Sequence, residues 1–208
     1  MNTMLQFFSK RKNKKGFTLV EVIIVLVILA IIAAVAIPSL TGYIDKANKS
    51  KYMLAARNTM QAMQTELLEM YGRQEKIEDI PKVASNSAGD VLLIGTDFAK
   101  KVLETADDDP YLLIIGTGDS RKFKDSERAK AYTVYFVAYW PDKNEDPIFF
   151  NGTEWVDTYP WKKAGANTFT VKGKQIPLQF YIVAGPNKKN IDSNWNTLQN
   201  YLKKNNKM

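Results

Sequence analysis

Residues 10–40 read KRKNKKGFTLVEVIIVLVILAIIAAVAIPSL, and the change of chemistry inside this stretch organises the chain. Lys10, Arg11, Lys12, Lys14 and Lys15 give residues 1–16 a charge of +5 with no acid. Val22 through Ile37 is then uninterruptedly apolar. As a helix, Phe17–Ile37 reaches about 31 Å, the thickness of a bilayer core. Behind it come only Lys46, Lys49 and Lys51, offset by Asp45. The asymmetry puts residues 1–16 in the cytoplasm and everything after Pro38 outside. A plain single-pass anchor fits this, and so does a secretory signal cut at Ala34-Val35-Ala36. Neither explains Glu21. A carboxylate in a lipid-facing helix costs about 2–3 kcal/mol, and the chain has no cation within the span to meet it. Its partner would have to come from elsewhere, such as another chain.

Lys14-Lys15-Gly16-Phe17-Thr18-Leu19-Val20-Glu21, followed by the apolar run and Pro38, resembles the prepilin signature of type IV pilins and pseudopilins. The resemblance covers roughly residues 10–50. It implies a leader, residues 1–16, that a membrane prepilin peptidase removes between Gly16 and Phe17, methylating the new N-terminus of Phe17. Residues 17–40 would form the transmembrane and polymerisation helix and 41–208 the globular head. It implies that Glu21 meets the N-terminal amine of a neighbouring subunit in an apolar filament centre. Such a pair adds little net stability, but leaving one member unpaired costs about 3–5 kcal/mol, so it acts on register. Pro38 would loosen the helix; the alternative is a simple end to the span. The implied partners are other pilin subunits in a homopolymer or mixed filament, the peptidase/methylase, a membrane assembly platform, and the bilayer before assembly.

Downstream of Leu40 the helix is expected to continue to about Tyr71. Met53, Ala56, Met60, Met63, Leu67 and Met70 recur at spacings of three and four, one apolar stripe for a sheet to cover, with Arg57, Gln61, Gln64 and Glu66 off it. Gly72 is the expected stop. Residues 73–90 read as a loop, and Thr96-Asp97 as the cap of a helix over 97–105. Strands are expected at Tyr111–Ile115, Tyr132–Trp140, Ile148–Phe150, Glu154–Val156, Thr168–Lys172 and Leu178–Ala184, with turns at Asn151-Gly152 and Lys172-Gly173-Lys174. Asp192 or Ser193 would cap a closing helix bearing Trp195, Leu198 and Leu202. The fold class is α+β: a long N-terminal helix whose apolar half protrudes and whose amphipathic half packs on an antiparallel sheet. Many pilins close a C-terminal loop with a disulfide; this chain has no cysteine, so strand pairing, the last helix or aromatic packing must do so.

The whole chain of 208 residues carries 29 basic and 22 acidic residues, +7, with no His and no Cys. That removes the thiol nucleophile, cysteine metal sites and the usual general base, so no enzyme is expected. The charge is uneven: −7 over residues 75–157 and +8 over 158–208. Removing residues 1–16 leaves the rest at +2. Lys162, Lys163, Lys172, Lys174, Lys188, Lys189, Lys203, Lys204 and Lys207 lie among Trp161, Trp195 and Tyr201, which admits a nucleic-acid surface, complementarity with the acidic segment of a next subunit, or solvated charge. Asp107, Asp108 and Asp109, and separately Asp142, Glu145 and Asp146, are candidate calcium ligands without a known loop spacing. No cofactor is expected. Gly116-Thr117-Gly118 lacks the rest of a phosphate loop and reads as a turn. Asn151-Gly152-Thr153 matches a glycosylation sequon but reads better as a hairpin.

The expected product is a type IV pilus subunit, membrane-inserted and then exported into a surface filament for motility, adhesion or biofilm. A pseudopilin of a secretion or DNA-uptake system and a monomeric anchored or secreted binding protein are the alternatives.

Overall fold

The computed structural model describes residues 16–160 and 168–208. The basic leader before Gly16, and Trp161, Lys162 and Lys163, lie outside them. The chain divides into two compact units, Met1–Asn48 and Lys49–Met208.

Helix α1 runs from Leu19 to Gly72, 54 residues with Pro38 inside it. In the first unit every Val, Leu and Ile from Leu19 to Leu40 is exposed. The helix continues through Pro38 because only one backbone donor is lost there; Thr41 Oγ1 donates to the Pro38 carbonyl at 2.9 Å.

In the second unit α1 buries Ala56, Ala62, Met63, Leu67 and Met70, with Met53 and Met60 packed at the margin. The expected stripe is therefore the core face, with one correction. Glu66 is buried, 5% exposed, and not off the stripe. The stripe is widened on that side by α2 (Asp97–Ala106), whose Lys101 Nζ reaches Glu66 Oε2 at 2.6 Å. Helix α1 ends at Gly72 as expected, and the left-handed closing residue follows it. Gln74, at φ 59°, takes the left-handed position, and Glu75 N–H donates to the Met70 carbonyl at 3.0 Å. That is a Schellman closure two residues beyond Gly72. Thr96 caps α2 as expected, accepting from Ala99 N–H.

Strands β1 (Ala84–Ser85), β2 (Val91–Leu92), β3 (Leu112–Gly118), β4 (Val134–Trp140), β5 (Ile148–Phe150), β6 (Trp155–Val156), β7 (Thr168–Val171) and β8 (Lys174–Ala184) form one sheet. Their order is β1-β2-β8-β3-β4-β5-β6, with β7 paired to β8 beside this path. All pairs are antiparallel except β2–β8, where Val91 faces Tyr181 and Leu92 faces Ile182 in parallel. The sheet is thus mixed, not wholly antiparallel. The chain between β2 and β8 is long enough for β8 to return in the same direction. β1 and β2 lie where a loop was expected to end: Asn86 Oδ1 accepts from Asp90 N–H at 2.9 Å and Gly89 adopts φ 89°, closing a short hairpin. Lys172 and Gly173, φ 47° and 76°, make the two-residue turn between β7 and β8. Gly116-Thr117-Gly118 is not a turn but the end of β3.

Both faces of the sheet are covered. Leu113, Ile115, Val137, Tyr139, Tyr181 and Val183 face α1 and α2. Their neighbours Leu112, Ile114, Phe136, Trp140, Phe180 and Ile182 form a second core with Ile191, Leu198 and Leu202 of α3 (Ile191–Lys204). Alternate residues thus enter different cores, which is why every residue of β3 is buried. Asn190, not Asp192 or Ser193, caps α3, accepting from Ser193 N–H at 2.9 Å. Trp195 meets Phe180 of β8 at 5.2 Å and Tyr201 meets Trp140 of β4 at 4.5 Å, so α3 crosses the strands.

Candidate functional site

The candidate processing and assembly site is built at the start of α1. Gly16 and Phe17 are exposed and precede the helix; Phe17 is 87% exposed. Thr18 is the residue on which the helix starts, its carbonyl accepting from Val22 N–H at 3.2 Å. Glu21 Oε2 accepts from Thr18 N–H at 2.8 Å and from Thr18 Oγ1 at 2.7 Å, while Glu21 N–H donates to Thr18 Oγ1 at 3.2 Å. This is a reciprocal capping box, with a carboxylate at the positive end of the helix dipole. It also fixes where the extended chain ends: the Gly16–Phe17 bond stays outside the helix. Sequence reasoning singled out Glu21 and passed over Thr18, although a Thr followed three residues later by Glu ahead of an apolar run is the box's own signature. Among the described residues the second carboxylate oxygen, Oε1, has no hydrogen-bond partner, so one oxygen serves the helix and one remains for another group.

Behind this cap lies an eighteen-residue window of mean hydropathy 3.3, none of it buried within the subunit. Pro38 lies far along the helix from Glu21 and is not brought near it.

Residues 11–37 match the prokaryotic N-terminal methylation motif. This chain carries the prepilin signature. The motif is that of type IV pilin and pseudopilin precursors, and the matched residues span the Gly16–Phe17 bond, Thr18 and Glu21. No curated protein and no solved structure matches the chain. The apolar helix of this prepilin-type chain fits a single membrane anchor.

The remaining candidates are occupied otherwise. Asp107, at φ 51°, closes α2 through its backbone N–H. Asp108 Oδ2 accepts from Thr59 Oγ1 at 3.0 Å. Burial, and then Asp108, push the Tyr139 phenol well above its ordinary range. Asp109 is exposed, and among the described residues no three acidic side chains converge as a metal site. Asp142 Oδ1 accepts from Asn144 N–H and Glu145 Oε1 from the Tyr52 hydroxyl. Asn151 Oδ1 accepts from Thr153 and Glu154 N–H, shaping the β5–β6 hairpin around Gly152.

Asp146 ties the residues after α3 to the loop between β4 and β5. The Tyr201 hydroxyl and Lys207 Nζ both bind it, the latter at 2.6 Å. Lys207 and then Tyr201 hold its carboxyl below the usual range. Tyr201 is pushed up to about 12, by burial first and then by Asp146. Tyr159 N–H donates to the Lys207 carbonyl at 3.2 Å. From the first turn of α3, fully buried Asn194 accepts from Asn187 N–H and donates to the Asn187 and Asn190 carbonyls. Trp195 and Tyr201, expected among the lysines as base-stacking candidates, are instead packed against the second core. Lys172, Lys174, Lys188, Lys189, Lys203 and Lys204 are exposed.

Proposed function

We propose that the chain is a structural subunit of a type IV pilus. It inserts as a prepilin, is cleaved after Gly16, is methylated at Phe17 and polymerises through α1 into a surface filament. The observation that carries this reading is the methylation motif at residues 11–37 standing on a helix whose apolar side chains have no cover within the subunit. Uncovered apolar surface of that extent needs lipid first and neighbouring helices afterwards. Glu21 gives the second stage its register. Capped by Thr18, it crosses into lipid with one oxygen already hydrogen-bonded; the Phe17 amine of a neighbour supplies the charge partner for the other. The role is one of assembly and not of catalysis, and motility, adhesion or biofilm formation would follow from the filament.

Mass spectrometry of the mature N-terminus tests the processing step. A methylated Phe17 is the expected result; a start at Ile37 means a secreted protein and an intact Met1 a plain anchor. Electron microscopy of sheared surface material then separates a pilus, with long filaments, from a pseudopilus of a secretion or DNA-uptake apparatus, with none.

A further inference from the structure

The turn between β5 and β6 holds the chain's one Asn-Gly pair, Asn151-Gly152. In such a pair the glycine's backbone nitrogen can attack the preceding side-chain amide, because no Cβ shields the approach. The rate depends on what stabilises the negative charge that the attack pushes onto the amide oxygen.

Here that oxygen is already surrounded. Asn151 Oδ1 accepts from Thr153 Oγ1 at 2.8 Å, from Glu154 N–H at 3.0 Å and from Thr153 N–H at 3.1 Å. An Asx turn needs only the contact with Thr153 N–H; the hydroxyl and Glu154 N–H are further donors on the same atom. Two N–H groups and one O–H at that range form the arrangement by which an oxyanion hole stabilises a tetrahedral intermediate of acyl transfer. The reacting nitrogens are unencumbered. Among the described residues neither Asn151 Nδ2 nor Gly152 N–H makes a hydrogen bond, so ring closure breaks none of the turn's contacts. Asn151 and Gly152 are half-buried and Thr153 is exposed, which leaves water access to the site.

We propose that Asn151 is a self-catalysed deamidation site. Hydroxide takes the Gly152 amide proton, the nitrogen bonds to Asn151 Cγ, and negative charge moves onto Oδ1 among its three donors. The intermediate collapses by breaking the Cγ–Nδ2 bond; ammonia leaves with a proton from water, and a five-membered succinimide remains. Water then opens the ring. Attack at Cγ gives aspartate, and attack at the main-chain carbonyl gives isoaspartate, whose backbone is one methylene longer. The fold discriminates between the two. A Cβ on Gly152 would lie 2.7 Å from Val171 Cγ2 and 3.2 Å from the Tyr135 carbonyl oxygen, so the turn has no room to grow. Aspartate keeps the turn, its carboxylate accepting from the same three donors more strongly. The folded chain thereby gains one negative charge at the β5–β6 end of its sheet.

The test is peptide mapping by mass spectrometry, with aspartate and isoaspartate separated by chromatography. The full chain is incubated at mildly alkaline pH, folded in detergent and, in parallel, unfolded in urea. Position 151 of the folded chain should convert ahead of every other Asn, with a higher aspartate-to-isoaspartate ratio than in urea. Thr153→Val, which removes the hydroxyl donor, should slow the folded chain several-fold, Thr153→Ser should keep the parent rate, and the three rates should coincide in urea. An amide that persists in the folded chain while it is lost in urea overturns the proposal. So does a folded Thr153→Val chain that converts at the parent rate. A turn that only shields the amide gives the opposite sign, with Thr153→Val faster than the parent, and that result overturns it too. The filament reading stands or falls separately, since none of these measurements involves assembly.

Discussion

Asn194→Ala in α3 should loosen the closure that substitutes for a disulfide. The side chain is fully buried and makes three hydrogen bonds: from Asn187 N–H at 3.0 Å, to the Asn187 carbonyl at 2.8 Å and to the Asn190 carbonyl at 3.0 Å. The Asn190 carbonyl, that of the cap residue, keeps its place in the first turn of α3. The two Asn187 groups bear the loss. A net bond is worth about 1 kcal/mol and a buried group left unmade costs about 1–3. The expected destabilisation is therefore about 2–4 kcal/mol, or about 5–12 °C in midpoint for a unit of this size. Asn194→Asp sharpens the argument. It keeps the acceptor for Asn187 N–H but replaces two donations with a carboxylate facing two carbonyls. That variant should be at least as unstable as Asn194→Ala at pH 7 and should recover as the pH falls and the new carboxyl gains a proton. Asn196→Ala, exposed on the same helix, should change stability by less than about 0.5 kcal/mol. Trp195, which packs edge-on to Phe180, reports the transition by fluorescence during thermal unfolding in detergent. Equal midpoints for parent and Asn194→Ala, or an Asn194→Asp protein that weakens on acidification, would refute the reasoning. Gly185→Ala should act through the same point, since an added Cβ would lie 2.6 Å from Asn194 Oδ1.

Three further outcomes follow from the geometry. Glu21→Ala should leave the head folded and the precursor inserted yet abolish filaments, read by surface shearing and by unfolding of the detergent-solubilised chain; normal filament yield contradicts the register role. Thr18→Val removes the hydroxyl side of the capping box and should fray the first turn of α1 at a cost of about 1 kcal/mol, seen as faster amide exchange at Leu19–Glu21. The Asp146–Lys207 pair should give an acid-sensitive C-terminus. Because the folded carboxyl sits below its unfolded value, its contribution is present above the unfolded pKa and lost as the pH falls through the folded one. Asp146 is largely exposed, so the loss is below about 1 kcal/mol and should shrink in Lys207→Met, where the Tyr201 hydroxyl still donates to the carboxylate, compared by unfolding midpoints from pH 6 down to pH 3.

How much of this was open to reading depends on the length over which a pattern repeats. The apolar run with Glu21 in it and the three-four stripe from Met53 to Met70 each extend over several helical turns, so no local accident can imitate them. β1 and β2 are two residues each, below the length at which alternation exists, and β8, the parallel partner of β2, lies about ninety residues onward. Nothing in Ala84-Ser85 or Val91-Leu92 could announce it. Glu66 needed α2 to be in place, because a charge near an apolar stripe is solvent-facing until a second helix brings Lys101 to it.

The covering of the sheet's second face is a different case, for its signal was present. Leu112-Leu113-Ile114-Ile115 and Phe180-Tyr181-Ile182-Val183 do not alternate apolar with polar, and a strand wet on one face should. Continuous apolar strands require two cores, and the helix bearing Leu198 and Leu202 supplies an apolar face for the second. The same reasoning assigns the missing disulfide its substitute. With α3 crossing from β8 to β4 and tied by Asn194 at its start and Asp146 at its end, the C-terminus is held across the sheet by packing and hydrogen bonds. That closure needs no oxidant to form.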